Sequence, residues 1–235
     1  MRINIGVETY PGGRSIATVL DHPACFANGA DGSEAVIRIP DALLRYKEWI
    51  DSHTPDSWMK DLGDFDIHLE ETFDVNFVNE SFDLAADGIE INAWYRHDWK
   101  PLTAEDIRRG SLVLEWSRAD LLELVASLTP LQMAQEFEGE RWSIGGVLRH
   151  VANAEHWYLD RLSKAPCPRK DLPEDPFERL DFVRKHLKQV LPSFVGLNDV
   201  KGIEGEIWSP RKVLRRSIWH EIDHIEHIFK LIARL

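Results

Sequence analysis

The chain has 235 residues, 43% of them hydrophobic and 29% charged, which suits one large or two small globular domains that need no disulfide staples. Acidic residues outnumber basic ones 40 to 28, a net charge of −12, so neither nucleic acid nor an anionic membrane is expected as a principal partner; phosphate contact needs clustered Lys and Arg. The two cysteines, Cys25 and Cys167, form no CxxC pair, no apolar run approaches the ~20 residues of a membrane helix, and the opening MRINIGVETY lacks a secretory pattern, so a reduced, cytoplasmic protein is expected.

The first hundred residues read as mixed β and α. Arg2 to Tyr10 alternates apolar and polar residues through Ile3, Ile5 and Val7, as a half-buried strand does. Pro11-Gly12-Gly13 is a turn and Ser15 to Leu20 a second strand. Asp31-Gly32 marks a break. Ile39-Pro40-Asp41 leads into a helix through Ile50, with proline in its first turn. Phe65 to Val78 and Gly88 to Tyr95 are two further strands.

After Pro101 the period becomes helical. Thr103 with Asp106 signals a helix start, and the first long helix runs to about Leu128 on a face of Ile107, Leu114, Leu121 and Val125. A second helix spans Ser143 to Leu162. The proline-rich loop APCPRKDLPEDP separates it from a third, Pro176 to Leu191, and a loop leads to a fourth that starts at Pro210. Four helices with unequal loops fit a four-helix bundle, a common home for metal sites. The basic residues Arg211, Lys212, Arg215 and Arg216 read as the solvated face of the fourth helix.

The chemistry concentrates in WHEIDHIEH. His220 and His224 stand four apart, on one face of a helix and about one turn from each other. His150 falls on the apolar stripe of the second helix with Val147, Val151 and Tyr158. A lone histidine on such a stripe is usually a satisfied core residue; a pair on one helix facing a third on another is a metal-site pattern. Three neutral imidazoles around a divalent ion leave a position open, as in catalytic rather than structural zinc. That position suits a water of lowered pKa or a thiolate. Glu221 and Asp223 are candidate partners that orient the imidazoles or move protons. His220-Glu221-Ile222-Asp223-His224 also matches HExxH, with Glu221 as would-be base of a protease. The longer HExxHxxGxxH form needs Gly at 227 and His at 230, where this chain has His227 and Lys230. His227 reads as a supporting or replacement ligand, His156 as lying on another helical face and His186 as exposed.

RWSIGGVLRHVANAEHWYLDRL around His150 and VLRRSIWHEIDHIEHI around His220 and His224 resemble the DinB/YfiT-like metalloenzyme family over residues 101 to 235. The resemblance implies an up-down-down-up four-helix bundle in which His150, His220 and His224 hold zinc or nickel. It also implies a homodimer and, in some relatives, transfer of a low-molecular-weight thiol. SIATVLDHPACFANGADGSEAV is similar to the small HicB antitoxin domain at Pro23, Cys25, Gly29, Glu34 and Ala35, with Ala24 where that motif has glycine. That implies three strands and a helix over residues 1 to 50, serving as a docking or shielding module.

The expected fold is therefore α+β: a small mixed α/β sheet domain over residues 1 to 100 and a DinB-like bundle over 101 to 235. The expected function is a metalloenzyme of transferase or hydrolase type acting on a small molecule through activated water or thiol. The rival is a non-catalytic, stress-related or protein-interaction scaffold with a residual metal site.

Overall fold

The structure, a computed structural model, describes residues 1–85 and 88–235. The chain is α+β and divides into two compact units: Met1–Lys100 with Gly202–Trp208, and Pro101–Lys201 with Ser209–Leu235. Among the described residues no helix is long and apolar enough to cross a membrane.

The first unit is built on a four-stranded sheet of order β3-β2-β1-β4. Strand β1 (Arg2–Thr9) pairs antiparallel with β2 (Ser15–Val19), and β2 with β3 (Phe26–Gly29). Two helices follow, α1 (Gly32–Ile37) and α2 (Ile39–His53), and this crossover lets β4 (Asp66–Asp74) join β1 in parallel. Helix α2 buries Ile39, Ala42, Leu43, Tyr46 and Ile50, the spacing of one helical face. The Asp31-Gly32 break is the N-cap of α1, where the Asp31 carboxylate accepts from the Glu34 amide at 2.9 Å. The strand expected over 65 to 78 is two: β4, then β5 (Asn76–Val78), which leaves the main sheet and pairs antiparallel with β6 (Ile89–Ile91).

Gly29 marks a close approach. A Cβ there would stand 2.3 Å from the Ala35 amide nitrogen and 2.7 Å from the Asp31 carbonyl, both backbone atoms that no rotamer change can move. Gly29→Ala is expected to destabilise the protein by about 1–3 kcal/mol, the range for overpacking. Urea unfolding checks this; an unchanged midpoint would mean that the turn into α1 relaxes freely.

The second unit holds four long helices: α3 (Ala104–Val125), α5 (Ile144–Arg161), α6 (Pro176–Val190) and α7 (Pro210–Ile232), with a short α4 (Pro130–Ala134). Each long helix has a side-chain N-cap: Thr103, Ser143, Asp175 and Ser209. At α3 the cap is reciprocal, with Thr103 Oγ1 accepting from the Asp106 amide and Asp106 Oδ2 from the Thr103 amide. Helix α5 packs on α6 and α7, and α3 on α7. Leu121, Val125, Val147, Val151, Leu180 and Ile228, from all four helices, close one apolar core.

Two expectations are corrected here. The loop before α7 contains a hairpin, β7 (Lys201–Ile203) and β8 (Glu206–Trp208), turning at Glu204-Gly205 with φ of 51° and 81°. Its residues 202–208 group with the first unit. The physical reason is Glu206, buried, whose Oε1 accepts from the Asn92 backbone and side-chain amides at 2.7 and 2.8 Å. The basic residues of α7 are not a solvated face either. Lys212, Arg215 and Arg216 are buried, because the N-terminal half of α7 is enclosed almost all round, from Lys212 through Glu221.

Candidate metal centre

Helices α5 and α7 bring three imidazoles together. His150 comes from the second turn of α5 and His220 and His224 from successive turns of α7. The Nε2 atom of His220 lies 3.1 Å from that of His150 and 3.2 Å from that of His224. Ligand atoms of all three lie within 4.8 Å of one another. Four bonds of ~2.0–2.1 Å directed tetrahedrally would separate ligand nitrogens by about 3.3–3.4 Å, so the spacing is close to that of one shared ion.

Proton bookkeeping supports the same fit. A neutral imidazole nitrogen either donates one hydrogen bond or accepts one. His220 Nε2 faces two other Nε2 atoms, so protons alone satisfy one contact and leave the other unmatched. Three lone pairs turned inward on a cation satisfy all of them. The residues present thus fit a divalent metal held by neutral nitrogen ligands.

Burial keeps the rings neutral. It pushes the His150 imidazole down to about 4, with Arg141, Arg169 and His227 acting in the same direction. It pushes His224 down to about 3, aided by His150 and His227. Fully enclosed His220 is driven well below the ordinary histidine value by burial, then by His224, His150 and Arg216.

This bears on the metal-free protein. With folded-state values near 4 and 3 against about 6.5 unfolded, the unfolded chain binds more protons in that window, so stability falls with pH. Chelator-treated protein is expected to lose urea resistance between about pH 6.5 and pH 4, and a His150→Gln/His224→Gln variant to lose less of it. Equal slopes for the two proteins would contradict the assignment.

The other predicted residues fall differently. Glu221 does not touch the imidazoles. Its side chain is 1% exposed, and its oxygens meet Ser117 Oγ at 2.6 Å, Arg118 Nε at 2.7 Å and Arg184 Nη2 at 3.1 Å. It therefore neither orients a ring directly nor serves as an HExxH base: α7 turns residue 221 into the bundle interior and 220 toward α5. Asp223 is half-buried, one residue before His224. The second ring nitrogen of His224, Nδ1, is buried with no hydrogen-bond partner among the described residues. His227 stands beside the cluster, its Nε2 3.0 Å from Glu140 Oε2. His156 is buried elsewhere, with Nε2 2.8 Å from the Cys167 carbonyl, and half-buried His186 meets the Lys164 carbonyl at 2.7 Å.

Trp142, just before the α5 cap, stacks on His150 with ring centroids 4.3 Å apart, and the Arg141 guanidinium lies 4.7 Å over Trp142. Sequence periodicity does not single out this layer, because Trp142 precedes the helix whose face it covers.

A four-helix bundle with three imidazoles converging between two of its helices is the class of domain that these observations define. Residues 113–228, within the helical unit, match the model of the DinB superfamily. A comparison with curated proteins gives no match. Among solved structures the chain is similar to YfiT from Bacillus subtilis, described as a probable metal-dependent hydrolase with an unusual four-helix bundle topology. The two are 20% identical, the similarity covers 63% of this chain and 94% of that one, and the TM-score is 0.46. Likeness at that level bears on neither ligand nor activity.

Proposed function

We propose that this protein is a DinB-type metalloenzyme in which His150, His220 and His224 hold one divalent ion, zinc or nickel. Convergence of the three Nε2 atoms carries the reading. Imidazole suits both metals, and availability decides between them. When bound, such an ion supplies a Lewis acid that activates water or a low-molecular-weight thiol toward a small-molecule substrate.

The chain's own residues prepare that chemistry. Enclosure keeps the three rings unprotonated, so no proton has to be displaced from them near neutral pH. Trp142 covers one side of His150 and keeps water from that face. Arg141, Arg169 and Arg216 make the surroundings positive, which favours an anionic partner such as a thiolate. Glu221, engaged by two arginines, is not the proton acceptor, and Asp223 is the remaining candidate on α7. The docking or shielding role of the first unit rests on the HicB resemblance of residues 1 to 50, and the homodimer on the DinB resemblance.

The test is turnover. Protein loaded with zinc or nickel is expected to conjugate small thiols to electrophiles, or to hydrolyse simple esters, and chelator is expected to stop it. Metal-loaded protein inactive on both substrate classes would favour the scaffold reading.

A further inference from the structure

Beneath the histidines lies a second constellation. Each of the four long helices contributes one member to a cluster of buried charged side chains: Arg118 from α3, Glu155 from α5, Arg184 from α6 and Glu221 from α7. Arg184 forks onto Glu155, with Nη2 2.6 Å from Oε2 and Nε 3.1 Å from Oε1, and reaches Glu221 at 3.1 Å. Arg118 Nε bonds Glu221 at 2.7 Å; its Nη2, 2.6 Å from the same oxygen, makes an ion-pair contact rather than an aligned hydrogen bond. Each arginine also donates to a carbonyl of the other's helix, Arg118 to Leu180 and Arg184 to Leu114. Two positive and two negative charges balance.

The distribution of signs is informative. The two acids sit on the two helices that carry the histidines, Glu155 five residues after His150 and Glu221 next to His220. The two arginines sit on the other two helices, and Arg184 grips both acids at once. An apolar seam tolerates small sliding because hydrophobic contact is not directional. Forked ion pairs do not, since planar guanidinium and carboxylate must meet edge to edge. A one-residue slip of α5 along α7 would move His150 by about 1.5 Å, whereas metal ligands must stand within about 0.2 Å of their proper distance. Buried charge networks of this kind often cost stability relative to apolar packing, and setting register is their best-attested use.

We propose that Arg118, Glu155, Arg184 and Glu221 are positioning residues that fix the register of α5 against α7, and so bring His150 to His220 and His224. The proposal rests on the metal reading for its purpose, though not for its geometry.

The test separates register from stability. Replacing all four together (Arg118→Met, Glu155→Leu, Arg184→Met, Glu221→Leu) leaves no charge of the set unpaired, so the fold is expected to survive. Cobalt(II) is the probe. Its affinity is expected to fall about 10–100-fold and its visible bands to weaken. In the variant's crystal structure the Nε2 separation of His150 and His220 is expected to exceed the 3.1 Å of the parent. A folded variant with unchanged cobalt affinity, bands and separation overturns the proposal. If the quadruple variant does not fold, Arg184→Lys, which keeps the charge and loses the fork, decides by the same readouts in the same directions. Parent protein that takes up no cobalt overturns the metal reading alone, and the histidine separation still decides the register.

Discussion

His220→Ala is expected to take the purified protein from about one divalent ion per chain to less than about a tenth of one. His220 has the central place in the cluster, in contact with both other Nε2 atoms, so its removal leaves two nitrogens with no bridging ligand between them. Elemental analysis of protein prepared without chelator gives the ratio. His156→Ala and His227→Ala serve as controls and are expected to keep the ion, because those rings face the Cys167 carbonyl and Glu140 instead. Full metal content in His220→Ala would rule out the three-histidine site.

The second large effect concerns stability. Arg184→Met is expected to cost about 3–5 kcal/mol, because it strands charge in the interior rather than removing it. Glu155 and Glu221 are 3% and 1% exposed, and both depend on that guanidinium. Burial pushes the Glu221 carboxyl up, but Arg184 and Arg118 outweigh it and hold the group below the usual carboxylate range. Without Arg184 that balance turns, and the folded variant binds a proton that the unfolded chain does not. The deficit is therefore expected to shrink as pH falls toward 5, the opposite of the histidine effect in metal-free protein. Urea unfolding at pH 7 and pH 5 measures both. A loss below about 1 kcal/mol would mean that water reaches the carboxylates.

The histidine cluster is legible in the sequence because its signal is local. His220 and His224 share a helical face by spacing alone, and His150 lies on a helix that apolar period and the Ser143 cap both announce. Helix bounds follow from the same caps, hence the close agreement at α5, α6 and α7. The charge quartet is different. Arg118 falls four residues after Leu114 and three before Leu121, and Arg184 stands likewise between Leu180 and Leu187. A charged residue at a core period is the available signal, but Arg and Glu are mostly exposed, and partners that lie 29 to 103 residues apart show only in the fold. The same reason hides the true surroundings of Glu221, which by spacing alone belongs with the histidines. Short elements go unseen for lack of period: β3 has four residues, and the β7–β8 hairpin is held by the distant Asn92.

The account turns on whether one ion sits among three imidazoles, and X-ray absorption at the metal edge of zinc-loaded protein reads this most directly. The expected spectrum shows three imidazole nitrogens at about 2.0–2.1 Å with outer-shell ring scattering and no sulfur. A single imidazole, a sulfur ligand at about 2.3 Å, or protein that retains no zinc after desalting would contradict it.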